Sequence, residues 1–192
     1  MSVDIIKTVQ GHLNIPADGV AGPQTWNAIA KALGLHSAAA PGIPDDYWPM
    51  LSKIESNDRP YIKAPTSSAS GLYQFIKSTW LGEGGKWGND PSQAFGGLKP
   101  TVEEQLARAK TFTEKNAQFL RNRGIPINRA SLYAAHFFGP ATAAKVIEAD
   151  VNARADLIAG DAATKANPSI LKGKTVGQFL SWLHGKTGAW AR

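Results

Sequence analysis

Cysteine is absent from this 192-residue chain. Its absence excludes a disulfide framework, a thiol nucleophile and any cysteine-ligated metal. Histidine is sparse. His12, His36, His136 and His184 stand far apart, and none falls in a His-x-His or His-Glu-x-x-His arrangement, so neither a metal site nor a cofactor is expected. No apolar run approaches the roughly 18 residues of a membrane span. Residues 1–10 place no long apolar core behind a basic start, so no secretory leader is expected, and the reading is a protein made in the cytoplasm. Alternating strand patterns are missing too, as are blocks of like charge.

What is present suffices for a core. Hydrophobic residues make up 43% of the chain, and its length suits one medium domain, or a small one followed by another of about 150 residues. Residues 1–44 balance Lys7 and Lys31 against Asp4 and Asp18, so the whole net charge of +6 falls in residues 45–192. A basic body suits nucleic acid, a membrane surface or an acidic cell-wall polymer, or serves solubility alone. The dispersal of its basic residues argues against nucleic acid as a partner.

The first segment reads as two short helices. Asp4 to Leu13 carries Ile5, Ile6, Val9 and Leu13 at helical spacing, and Thr25 to Leu35 carries Trp26, Ile29, Ala30 and Leu33, with Gly34 as a stop. Between them, Asp18-Gly19 marks a tight turn and Gly22-Pro23 puts proline at a first helical position. A unit of about 35 residues is marginal on its own. Val9-Gln10, Leu13 and the run Asp18-Gly19-Val20-Ala21-Gly22-Pro23-Gln24-Thr25-Trp26 resemble the small helical peptidoglycan-binding domain of cell-wall hydrolases. That resemblance makes residues 1–35 a wall-binding domain and implicates Asp18, Gly19, Gln24 and Trp26. Residues 36–44, small, uncharged apart from any charge on His36, and proline-containing, read as a linker.

Residues 45–192 read as a mostly helical body, so the fold class expected is all-α. Asp45 and Asp46 offer caps for a helix from Tyr47 to Glu55. Residues 61–70 read as a loop, Gly71 to Leu81 as a second helix, and Gly82 to Gly97 as a glycine-rich connection. Thr101-Val-Glu-Glu104 is a capping box for the longest helix, reaching about Asn122, with Val102, Leu106, Ala109, Phe112, Phe119 and Leu120 inward and Gly124 as its stop. Asn128, Gly139-Pro140 and Thr175 open three more helices, and Asn167-Pro168 marks a turn.

Glu55 closes the first helix of that body in an apolar context, facing a cleft that Tyr73, Phe75 and Trp80 are expected to wall. A buried glutamate with a raised pKa can protonate a leaving oxygen, as glycan cleavage requires. The plain alternative is a solvated glutamate at a helix end.

Glu55-Ser56 followed by Ser70-Gly71-Leu72-Tyr73-Gln74-Phe75 resembles the Glu-Ser and Gly-Leu-x-Gln motifs of soluble lytic transglycosylases, whose helical fold goose-type lysozymes share. Leu132-Tyr133-Ala134-Ala135-His136-Phe137-Phe138-Gly139-Pro140 resembles their third motif, Ala-Tyr-Asn-x-Gly-Pro, with His136-Phe137 where Tyr-Asn is usual. The closest flavour is the phage lysin branch. The resemblance implies a modular endolysin that cuts the MurNAc–GlcNAc β-1,4 bond for host cell lysis. Glu55 would be the general acid, then base, with Ser56, Ser70, Tyr73, Gln74, Tyr133 and His136 around the glycan. With no second carboxylate (Asp58 reads as a turn residue, while Glu83, Glu103 and Glu104 stay open), the substrate's own N-acetyl group or C6 hydroxyl would take the nucleophile's role. The C6 route gives the 1,6-anhydro-MurNAc product that the resemblance implies.

The alternatives are a hydrolytic muramidase of the same fold, a wall-binding or virion structural protein without activity, and a basic nucleic-acid-binding protein. The partners expected are glycan strands, not nucleic acid, for a monomer that acts in the periplasm after holin-type release. The C-terminal helix, with Trp182, Lys186, Trp190 and Arg192, either docks on the body or contacts an anionic outer membrane.

Overall fold

Two helices of ten residues each form the first unit, α1 (Val3–His12) and α2 (Pro23–Ala32). The computed structural model describes residues 3–33 and 42–192, with the side chains of residues 23, 24, 27, 30 and 31 outside that description. The expected stop at Gly34 and most of the expected linker, residues 36–41, therefore lie outside the described residues. The chain divides into two compact units, residues 1–42 and 43–192, close to the boundary expected from the linker composition.

The first unit is organised by one buried amide. Gln10 is 1% exposed. It accepts from Gly19 N (2.8 Å) and donates to Asp18 Oδ1 (2.6 Å) and Thr25 Oγ1 (2.9 Å), while Thr25 Oγ1 donates to the Val20 carbonyl at 3.0 Å. The Val20 N–H and the Gln10 amide hold the Asp18 carboxyl below its usual range. Gly19 sits at φ +78°, where a Cβ would overlap the Val3 side chain, so the turn requires glycine. Because this network fills the space between the helices, the expected apolar stripes are only partly inward. Ile5, Trp26 and Leu33 are exposed, while Ile6, Val9, Leu13 and Ile29 are half-buried.

The second unit runs α3 (Tyr47–Ser56), α4 (Lys77–Gly82), α5 (Val102–Asn122), α6 (Arg129–Phe138), α7 (Pro140–Glu148), α8 (Ala155–Ala159), α9 (Asp161–Ala166), α10 (Pro168–Leu171) and α11 (Val176–Thr187). Helix α6 is the axle: it packs on α5, α7 and α11, and Ala130, Ser131, Leu132, Tyr133, Ala134 and Ala135 are all buried. A helix buried nearly all round must be apolar nearly all round, as this one is. Asn128 opens it with a reciprocal capping box, accepting from the Ala130 and Ser131 amides while Ser131 Oγ accepts from Asn128 N. Gly139 at φ +79° ends it, and Pro140 starts α7.

Helix α11 opens with a Thr175–Gln178 box and buries Phe179 and Leu183 completely, so its apolar face is spent on the core. Helix α5 begins and ends where the capping signal and Gly124 predict.

Three local expectations are corrected. Asp46 stands at the N-cap of α3 but makes no side-chain cap bond; its φ/ψ of −81°/1° is not extended, and its carboxylate pairs with Arg129 at 3.2 Å. Val102 is 45% exposed, because the first position of α5 lies beyond the core.

The larger correction is the segment expected as a helix from Gly71. Residues 71–75 form a turn, and the helix starts only at Lys77. Gly71 (φ +78°) and Gln74 (φ +48°) are left-handed, and Ser70 makes isolated antiparallel bridges to Lys63 and Phe75. The buried Gln105 of α5 explains this. Its Oε1 takes the Leu72 N–H at 2.9 Å, and its amide donates to the Pro60 and Pro100 carbonyls at 3.1 and 3.2 Å. Tertiary bonds have replaced helical ones. Apart from the Ser70 bridges and one more between Arg154 and Thr175, the described residues are helix, turn and loop, so the fold is all-α. No described helix is long and apolar enough to cross a membrane.

Candidate active site

Helix α3 delivers Glu55 on its last turn. Asn57 caps the helix in the left-handed region, donating its N–H to Lys53 O at 3.2 Å, and Asp58 N reaches Ser52 O at 3.3 Å. The chain therefore turns away just beyond Glu55. The carboxyl faces a groove of about 550 Å³ whose walls come mainly from three places. The 69–76 turn supplies Gln74 and Phe75, α5 supplies Phe112, and the end of α6 supplies His136, Phe137 and Phe138. Asn167 also lines it.

Burial pushes the Glu55 carboxyl above its ordinary value. Two effects oppose that shift without cancelling it: the Tyr133 hydroxyl donates to the carboxylate, and the Lys186 ammonium attracts it. Desolvation dominates, and the net shift is upward. Tyr47, entirely buried at the start of α3, carries a hydroxyl with no partner among the described residues, and its pKa is raised by burial and by the Glu55 charge. A carboxyl with a raised pKa, beside two tyrosines, is suited to give a proton to a leaving group.

His136 is held as a neutral ring. Burial pushes its pKa down to about 4, against a backbone hydrogen bond with Tyr73 that favours the charged form. The ring stacks on Phe75 at 5.7 Å and on Tyr133 at 6.4 Å, with Phe112 edge-on at 6.0 Å. Its Nδ1 is buried with no partner among the described residues.

No protein-family model matches this chain.

The geometry separates the residues singled out from the sequence into two groups. Glu55, Gln74 and His136 line one groove, and Tyr133 touches Glu55 from behind it. Gln74 is fixed by its own backbone turn, its amide donating to Gly71 O at 2.9 Å. The other residues hold structure. Ser56 Oγ donates back to Ser52 O at 3.0 Å, and Ser70 Oγ donates to Ser68 O at 2.9 Å while accepting from Phe95 N at 3.2 Å.

Tyr73 lines a separate hollow with Trp48, Ser52, Asp58 and Leu106. Trp80, expected as a cleft wall, is 1% exposed and packs on Phe95 at 4.7 Å. Asp58 accepts from Ser52 Oγ at 2.7 Å in that separate hollow, Glu83 pairs with Lys115 at 2.9 Å and Glu104 with Arg108 at 2.7 Å. Glu55 is thus the one carboxylate among the described residues lining its groove. Among the described residues no cluster of three His, Asp or Glu side chains forms.

Tyr47 and Lys186 as neighbours of Glu55, and Trp182 as a neighbour of Tyr133, escaped the sequence reading. Trp182 packs on Tyr133 at 5.9 Å and so fixes the ring that meets Glu55. Nothing local ties α11 to the end of α3; the docking of α11 on α6 brings them together.

In the first unit, Asp18 and Gly19 belong to the Gln10 network, and Trp26 stands 53% exposed with Nε1 donating to Ala21 O at 2.9 Å. The Gln24 side chain lies outside the described residues.

Proposed function

We propose that residues 43–192 cleave the β-1,4 bond between MurNAc and GlcNAc in peptidoglycan, with Glu55 as the sole catalytic carboxyl. The observation that carries this reading is a half-buried carboxyl, its pKa raised, alone among the carboxylates lining an aromatic groove. In this mechanism the Glu55 carboxyl protonates the glycosidic oxygen as the bond to C1 breaks. The muramyl C6 hydroxyl then attacks C1, and the Glu55 carboxylate takes the hydroxyl proton. The products are a shortened strand and a 1,6-anhydro-MurNAc end, and the enzyme regains its proton. Tyr133 steadies the carboxylate between the two transfers. Neutral His136 stands in the groove wall beside Gln74 and brings no charge to it.

The first unit is read as a wall-binding module, with exposed Trp26 as a stacking surface for a sugar. The wider reading is a phage-type endolysin acting on the wall of its host. A hydrolytic muramidase is the second reading, since a water could take the place of the C6 hydroxyl in the same groove.

The test is mass spectrometry of fragments released from purified peptidoglycan by the native protein, Glu55→Gln and Asp58→Asn. The expected result is anhydro-MurNAc fragments from the native protein and Asp58→Asn, and none from Glu55→Gln. Reducing MurNAc ends would favour hydrolysis. Fragments released by Glu55→Gln would overturn the assignment of Glu55, and none from any protein would overturn the activity and leave a wall-binding protein.

A further inference from the structure

Beside the Glu55 groove lies a second hollow of about 540 Å³, and a single ridge of chain separates the two. Ala69 and Ile76 face the groove, while their neighbours Ser68 and Lys77 face the hollow. Its chemistry is distinct from that of the groove. Lys63 and Lys77 line it together with Thr66, Ser67, Trp87 and Asn89, and no lining residue is a carboxylate. Among the described residues neither lysine is in an ion pair. Lys63 Nζ donates to Ser67 O at 2.9 Å and Ala64 O at 3.2 Å, which holds it at the hollow.

The walls are built rather than loose. Ala64 N bonds Ala69 O at 2.9 Å, and Lys77 N bonds Ser68 Oγ at 3.0 Å. Trp87 packs edge-on against Phe95 at 5.8 Å, and Gly88 lies so close to the Gly96 carbonyl that a Cβ would overlap it. Two cations on fixed walls, with hydroxyls, an amide and an indole face, form a preorganised receptor for an anionic, amide-bearing chain.

We infer that this hollow binds the acidic peptide stem of the same glycan strand whose sugars occupy the Glu55 groove, Lys63 and Lys77 receiving stem carboxylates. The inference rests on the peptidoglycan reading of the groove. A stem branches from the muramyl sugar through its lactyl ether, so a strand seated at Glu55 carries carboxylates to one flank of the groove. A polymer phosphate has the same charge but no such fixed branch point, and stripping the stems separates the two sources.

The experiment compares KM on glycan strands bearing stems with KM on strands whose stems have been removed by an amidase. It uses the native protein, Lys77→Gln, Lys63→Gln/Lys77→Gln and Glu55→Gln. The native protein is expected to favour stem-bearing strands by roughly three- to tenfold, the effect of two partly exposed ion pairs. That ratio falls toward one in the double variant and part-way in Lys77→Gln, which leaves the Lys63 bonds intact.

Glu55-dependent cleavage with no native preference for stems would overturn this inference and spare the function. A preference that survives undiminished in both lysine variants would do the same. Absence of Glu55-dependent cleavage would overturn both. A KM on stripped strands that still rises in the lysine variants would assign the hollow to another wall anion and also overturn the proposal.

Discussion

Glu55 is pulled both ways by named neighbours. Burial raises its pKa, and Tyr133 and Lys186 restrain the rise. Proton donation needs the protonated carboxyl, so cleavage is lost as pH climbs through the Glu55 pKa. Tyr133 stabilises the charged form. Removing its hydroxyl in Tyr133→Phe is therefore expected to move the alkaline limb of kcat/KM to higher pH, by an amount set by one charge-assisted hydrogen bond of about 1.5–3 kcal/mol. A pH–rate profile checks this, and an unmoved or lowered limb would place the hydroxyl away from the carboxylate. His136 contributes through neutrality: with its pKa near 4, it brings no cation into the groove at working pH.

Among the elements, the 69–76 turn matters more than any helix for the shape of the site. It places Gln74 and Phe75 in the groove and Lys77 at the neighbouring hollow. Its anchor is Gly71, where φ is +78° and a Cβ would overlap Gln105 Oε1 and the Phe95 ring. Gly71→Ala combines a left-handed backbone with overpacking against a buried amide, so a loss of about 2–4 kcal/mol is expected. Denaturant unfolding measures it. A loss below the error of that method would mean the turn relaxes without cost.

This turn also shows where local reading stops. Leu72, Tyr73 and Phe75 have helical spacing, but the bond from Leu72 N to Gln105 Oε1, contributed by a distant helix, decides the conformation. By contrast, the caps of α5, α6 and α11 were legible because Thr101, Asn128 and Thr175 act on amides within their own first turns.

At the scale of the whole molecule, the proposed function would let a weak wall contact of the first unit raise the local concentration of substrate for the second. Such tethering is worth up to roughly 10²–10⁴ in avidity. Trp26→Ala in the full chain is expected to lower retention on insoluble wall by roughly tenfold, the usual order for one exposed stacking aromatic. Pull-down on sacculi checks it, with turnover of short soluble glycan fragments as the control. Retention equal to that of the native protein would move the wall contact elsewhere. α11 belongs to this scale too. With Phe179 and Leu183 buried, it docks on the body, and its service to the site is to bring Trp182 against Tyr133 and Lys186 toward Glu55.

The candidacy of Glu55 came from the resemblance of Glu55-Ser56 and Ser70–Phe75 to lytic transglycosylase motifs. Composition, capping residues and helical spacing were enough for the all-α class and the position of the long helices, because those features depend on neighbours a few residues away. They could not place Trp26 outside, move Tyr73 and Trp80 off the groove or bring Tyr47 and Lys186 to Glu55. The last two depend on side chains that meet only after α3, α5, α6 and α11 have packed, and the first on the Gln10 network that fills the space between α1 and α2. The chemistry of the carboxyl belongs to the same class: the residue type is written in the chain, but its proton affinity is set by burial that only the folded groove supplies.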